Sequence, residues 1–263
     1  MPPGGRYLAK EMSALHQLPQ FEPGSEPAPQ TVRLDASGPS RVSQPILLSY
    51  YDALFAAHGP QHWWPGRTPF EVIVGAILTQ NTSWTNVERC IENLRREKLL
   101  TPRGIETVAP ARLARLIRSS GYFRQKAKKL KTFVRFLREA YHGSLTKMFD
   151  TSTAILRERL LEVHGIGPET ADSILLYAGK HPVFVVDAYS RRILERHELT
   201  EAKHSYEHIR QLFENSLPRS VALYNEFHAL IVHTGKHYCR ARNPRCGECA
   251  LNSLLPGRIA GAS

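Results

Sequence analysis

Residues 160–192 read LLEVHGIGPETADSILLYAGKHPVFVVDAYSRR, and this stretch decides the fold. Leu156, Leu160 and Val163 fall on one helical face, while Ala171, Ile174, Leu175 and Ala178 fall on a second. Gly165-Ile166-Gly167-Pro168 separates the two. Glycine admits positive φ and proline suits the first turn of a helix, so a tight helix-hairpin-helix is expected, with both glycines free to take positive φ. Successive N–H groups of such a turn, beside a positive helix end, can hold a phosphate oxygen. That contact reads backbone shape and carries no base information. His164, Gly165, Gly167 and Thr170 are the candidate contacts. A plainer reading is a helical hairpin with glycine at a C-cap. Asp187 then follows the short β-rich run Pro182–Val186, twenty residues after Gly167. A lone acid at a helix start is ordinarily an N-cap. Its apolar surroundings give it a second reading, because a hydrophobic neighbourhood strengthens a charge's electrostatic effect.

The rest of the chain supplies the partner for such a turn. Of 263 residues, 42% are hydrophobic and 22% charged, values of a globular protein that can bury a real core. Lys and Arg outnumber Asp and Glu by 35 to 24, a net charge of +11 that favours a polyanionic partner. The first 46 residues hold four basic and four acidic groups, so the surplus lies beyond them. Eight of the 18 prolines also lie there, and residues 1–45 are expected to form a disordered or loosely attached arm. No apolar run reaches the roughly 18–20 residues of a membrane span, and the N-terminus lacks a signal-peptide core. An intracellular protein, cytoplasmic or nucleoid-associated and monomeric, is expected.

From Pro45 the pattern is helical. ILLSYYDALFAAHG, TPFEVIVGAILTQ, SWTNVERCIENLRREK, PARLARLIRS, RQKAKKLKTFVRFLREA, HSYEHIRQLFENSL and VALYNEFHALIVHTGKHYC each read as a helix. The expected fold is all-α: two helical lobes over residues 46–238, with a cleft between them, then a cysteine-bearing loop and tail over 239–263.

G-I-G-x-x-T-A, an apolar segment and V-D-x-Y-x-x-R together resemble the helix-hairpin-helix DNA glycosylases of the endonuclease III superfamily. The resemblance implies base excision on double-stranded DNA: a damaged nucleotide is rotated out of the duplex and its N-glycosidic bond is cut. Asp187 would be the catalytic carboxylate at the mouth of the cleft, stabilising oxocarbenium character or activating water. Bifunctional members carry a lysine in the hairpin helix, where this chain has Glu169. A carboxylate cannot form an imine, so a monofunctional enzyme is expected. Lys180 and Lys236 are the nearest conspicuous amines, and both read as surface residues.

HWWPGRTPFEVIVGAILTQNTSWTNVERCIENL, GYFRQKAKKL and GIGPETADSILLYA with VVDAYS, within residues 60–195, are similar to the 3-methyladenine DNA glycosylase III group. That similarity implies alkylated purines such as 3-methyladenine as substrates. It places Trp63, Trp64 and Trp84 in the base pocket, and gives Gln80 the role of filling the gap left by the flipped nucleotide. It favours Lys126 as the basic residue near the cleft. The face of tryptophan attracts a cation by about 0.5–2 kcal/mol, which suits a base methylated at N3 or N7. The plainer reading makes Trp63 and Trp64 core anchors, and Tyr189 packs structurally beside Asp187. Arg124, Lys128, Lys131 and Arg135 lie on or near one face of the basic helix, with Lys126 and Lys129 beside them.

Cys239-x6-Cys246-x2-Cys249 has the spacing of a [4Fe-4S] loop, but the fourth cysteine position holds Leu255. Water, His237 or Ser253 could complete the set. Zinc held by three cysteines and a histidine, or free thiols in a degenerate loop, are the alternatives. Other readings of the whole chain are a glycosylase with lyase activity on oxidised pyrimidines, a mismatch glycosylase, a non-catalytic DNA-binding module and a metal-dependent scaffold.

Overall fold

The computed structural model describes residues 44–256. The arm expected over residues 1–45 lies outside them, apart from Gln44 and Pro45 at the start of the first helix. Among the described residues every regular element is helical. Pro182–Val186 forms no strand, and its Val183–Val186 part is buried.

The first lobe is contiguous in sequence. It runs through α2 (Pro69–Thr79), α3 (Trp84–Arg96), α4 (Pro102–Thr107), α5 (Pro110–Leu116), α6 (Phe123–Tyr141), α7 (Leu145–Phe149), α8 (Thr153–Glu162) and α9 (Pro168–Ser173). α1 (Gln44–His58) leaves this lobe and packs with α12 (Val221–His237) and α11 (Tyr206–Ser216), while α10 (Ala188–Arg196) packs on α12. The second lobe is therefore closed by the two ends of the described chain.

α2 explains the arrangement. Thr68 accepts a hydrogen bond from Glu71 N, Pro69 stands at the first turn, and every residue from Phe70 to Leu78 is buried. Burying each large aliphatic side chain contributes about 1.5–3 kcal/mol, so this helix is dictated to be central. α3, α6, α9 and the turn that follows α9 pack around it. α6 is one-sided: Ala127, Leu130, Phe133, Val134 and Leu137 are buried, with Arg124, Lys128 and Arg135 exposed.

The hairpin joins α8 to α9. Ile166 N donates to Val163 O at 2.9 Å, closing a turn in which Gly165 has φ +92° and Gly167 φ −96°. Only Gly165 thus takes positive φ, as the third residue of the turn requires. A Cβ at Gly165 would also lie 2.6 Å from Lys129 Cγ, whereas a Cβ at Gly167 would meet nothing within 4 Å. Positive φ, which both glycines permit, is used by Gly165 alone, while Gly167 is extended and faces open space.

α9 continues as one π-helical turn over Ile174–Ala178. Such turns inside α-helices are frequent at functional sites. Here the turn carries Tyr177 to the junction of the lobes. Asp172 on α9 is fully buried and takes Arg157 Nε at 2.6 Å, Arg157 Nη2 at 3.0 Å and Tyr206 Oη at 2.9 Å. Tyr206 Oη also accepts Val186 N at 3.4 Å, so one hydroxyl ties the hairpin helix to the residue before Asp187.

Candidate active site

Asp187 caps α10. Its Oδ1 accepts Ser190 N at 2.8 Å and Ser190 Oγ at 3.0 Å, and its Oδ2 lies 3.7 Å from His228 Nε2. This acid is an N-cap, and it also faces a cavity. That cavity, of about 420 Å³, is walled by Trp63, Trp64, Trp84, Tyr177, Glu169 and His228. A second, open groove of about 880 Å³ runs over the hairpin past Gly165, Gly167 and Lys129. Asp187, Glu169, Gln80 and Tyr189 line both spaces.

The tryptophans form a cage that packs on one side against the core. All three are half-buried and line the cavity. Trp64 stands edge-on to Trp84 with centroids 5.0 Å apart, and Trp63 lies 5.2 Å from Trp64 and 5.9 Å from Trp84. Trp84 Nε1 donates to Glu88 Oε1 at 2.7 Å, one turn along α3, which fixes its ring. Gly75 makes room for Trp64, since a Cβ there would lie 3.0 Å from Trp64 Cζ2.

Two residues of this wall carry no sequence signal of their own. Tyr177 Oη and His228 Nδ1 are 2.5 Å apart, deep in the wall. Burial pushes the His228 imidazole below its usual pKa, with Asp187 opposing, and burial raises Tyr177 well above the ordinary phenol range. His228 is thus neutral, and its contact with Asp187 is a long polar approach rather than an ion pair. Its Nε2 is buried and has no hydrogen-bond partner among the described residues. A histidine on an apolar helix pattern looks like core; only the fold aims it at Asp187. Glu169 is exposed at the cavity mouth, with the cavity wall on one side of it. Desolvation, reinforced by the nearby Asp187 charge, raises its pKa to about 7.

The DNA-contact expectations divide. His164 and Gly167 are exposed and Gly165 half-exposed, and the N–H groups of Gly165 and Gly167 meet no acceptor among the described residues. Thr170 is buried along the inner edge of the same groove, and its Oγ1 receives Gln80 Nε2 at 2.9 Å. Gln80, at the C-cap of α2, also donates to Gly165 O at 3.1 Å and accepts from Lys129 Nζ. In this state it latches α2 to the hairpin instead of projecting freely. Lys126 is corrected most sharply. It is 2% exposed, and its Nζ donates to Leu78 O at 2.9 Å and Ser120 O at 2.6 Å, so it ties down the end of α2 inside the lobe. Lys131 likewise serves the carbonyls of Glu106 and Val108. Lys129 is the basic residue at the groove. Lys180 is exposed as expected, but Lys236 is more than a surface residue: it lines the cavity, with Nζ 5.8 Å from the Trp63 ring centroid. Tyr189 packs against Gly235 and beneath Arg192 while facing both spaces.

At the far end of α12, Cys239, Cys246 and Cys249 line one small cavity of about 20 Å³ together with Leu255 and His197. The three thiols have the ligand spacing of a [4Fe-4S] loop, and Leu255 stands at the fourth cysteine position. Neither His237 nor Ser253 lines this space. Among the described residues no three His, Cys, Asp or Glu side chains already converge on one ion. Cys239 is buried and receives Arg196 Nη1 at 3.3 Å, while Cys246 is exposed. The three thiols would hold a cluster that orders the loop bearing Arg240, Arg242 and Arg245, with no step of base chemistry routed through it.

Comparison with known proteins agrees with this geometry. Residues 74–219 match the family profile of the HhH-GPD superfamily base excision DNA repair proteins, and residues 239–254 match the iron-sulfur binding domain of endonuclease III. A Methanocaldococcus jannaschii protein provisionally named a DNA repair glycosylase is 47% identical over 80% of this chain and 92% of its own. Endonuclease III of Thermotoga maritima is 30% identical over 70% of this chain and 81% of its own. H. pylori 3-methyladenine DNA glycosylase bound to 1,N6-ethenoadenine superposes with a TM-score of 0.63 at 29% identity, covering 74% of this chain and 98% of that one. An endonuclease III–DNA complex gives 0.72 at 22% identity, covering 83% and 98%, which supports the fold. No helix among the described residues is long and apolar enough to cross a membrane. A latched hairpin, a carboxylate behind it and an aromatic cavity between two helical lobes thus converge with the comparisons: the chain belongs to the HhH-GPD superfamily of base excision DNA repair proteins and is a DNA N-glycosylase.

Proposed function

We propose that the protein is a monofunctional glycosylase that removes alkylated purines, such as 3-methyladenine, from double-stranded DNA and leaves the abasic site uncut. The observation that carries this reading is the cage of Trp63, Trp64 and Trp84 opening directly onto Asp187. Aromatic faces bind a cationic base by stacking and cation–π attraction, and a cationic base is already a good leaving group. An anion beside the sugar then suffices to stabilise the positive charge that develops as the bond breaks. Similarity to a 3-methyladenine glycosylase holding a modified adenine supports the same substrate class. Glu169 supports hydrolysis, since it offers no amine where the hairpin helix meets the cavity.

Lys236 gives a second reading some footing, because its amine lines the cavity and a lyase needs one. One experiment separates the two. Oligonucleotides bearing methylated adenine, hypoxanthine, uracil or thymine glycol are incubated with the protein, and released base is scored separately from nicked strand. Release of methylated purine with intact strands is expected. Nicking accompanied by a borohydride-trapped adduct would replace the hydrolytic reading with the lyase.

A further inference from the structure

We infer that Glu169 is a second catalytic carboxyl of this site, the group that takes the proton of the attacking water, while Asp187 acts as a fixed anion facing the sugar. The inference rests on the glycosylase reading above and adds the proton acceptor to it.

The first argument is position. A nucleotide whose base enters the aromatic cavity, and whose backbone lies in the groove over the hairpin, has its glycosidic bond where the two spaces meet. Glu169 and Asp187 are the two carboxyls that line both spaces. The second argument is the unequal way they are held. Asp187 Oδ1 already accepts two hydrogen bonds from Ser190, which fixes its orientation. The Glu169 carboxyl has no hydrogen-bond or ion-pair partner among the described residues, so its oxygens remain open to a water molecule. Two carboxyls set apart by environment divide the roles of anion and proton carrier.

The chemistry balances with water as the only co-reactant. The water oxygen bonds to C1′ as the C1′–N bond breaks, and the bonding pair leaves with the base. The water's proton passes to a Glu169 oxygen and is later released to solvent, so both carboxyls end as they began. A proton acceptor works best when it titrates near the working pH, and the value of about 7 for Glu169 meets that condition. Charges facing it come from several elements. Asp187 at α10 raises the value. Lys236 from α12 and Lys129 from α6 stand at the edges of the two spaces, and His228, Tyr177 and Tyr206 are neutral there.

The test is single-turnover excision of a methylated purine by wild type, Glu169→Gln and Glu169→Asp between about pH 5.5 and 8.5, alongside binding to a non-cleavable abasic analogue. Glu169 must be ionised to act, so the wild-type rate is expected to climb about tenfold per unit below about pH 7 and level off above. Glu169→Gln should lose that limb and run roughly 10²-fold slower at pH 8 with binding unchanged. Glu169→Asp should keep an ascending limb, which a structural role would not produce. Wild-type speed in Glu169→Gln, or an ascending limb that survives in it, overturns the inference and leaves the glycosylase reading intact. Absence of methylated-purine excision by wild type at every pH would instead sink the alkylpurine reading on which the inference rests.

Discussion

Replacing Asp187 separates its two structural roles, because asparagine and alanine remove different things. Asparagine caps helices as well as aspartate and can accept the same bonds from Ser190 N and Ser190 Oγ, but it carries no charge. An anion about 4 Å from a developing positive charge, at an effective dielectric near 20, contributes about 4 kcal/mol. That corresponds to a rate loss of roughly 10³-fold. Alanine removes the cap as well, at about 1 kcal/mol, and leaves the fully buried Ser190 hydroxyl without its acceptor, at about 1 kcal/mol more. For a domain of this size each kcal/mol shifts Tm by about 2–4 °C, so Asp187→Ala should melt about 4–8 °C lower and Asp187→Asn close to wild type. The assays are single-turnover release of methylated purine and a thermal melt on the same preparations. Excision by Asp187→Asn within about tenfold of wild type, with Asp187→Ala destabilised, would refute the electrostatic reasoning and leave Asp187 a cap.

Trp84→Ala should weaken excision of cationic purines about tenfold or more through lost stacking, with little change in Tm because the ring stands at the edge of the core; unchanged excision removes Trp84 from the pocket. Lys126→Met should cost about 2 kcal/mol by stranding the carbonyls of Leu78 and Ser120, and leave the salt dependence of DNA binding untouched. A shallower salt slope would return Lys126 to the DNA surface. Anaerobic reconstitution with iron and sulfide should give a brown protein whose visible absorbance falls in Cys246→Ser; a colourless wild type would mean that three thiols and Leu255 hold no cluster.

The helices, the hairpin and Asp187 were legible because each rests on local rules: apolar periodicity, a glycine at positive φ, a capping acid. The tryptophan cage was legible through resemblance, since sequence alone equally allows core anchors. What local rules miss is direction. Lys126, Lys128 and Lys129 sit within four residues on one helix, yet one is buried on carbonyls, one is exposed and one reaches the groove. Helical spacing fixes their relative angles but not which neighbour meets each side chain. His228 and Tyr177 were invisible for the same reason, because their meeting spans 51 residues and depends on a π-helical turn.

The Tyr206 hydroxyl has a mechanical consequence. By holding Asp172 on one side and the Val186 amide on the other, it makes a short strut between the hairpin helix and the residue directly before Asp187. On the proposed mechanism, such a strut would act like the fixed jaw of a gauge, holding Asp187 at a set distance from the hairpin.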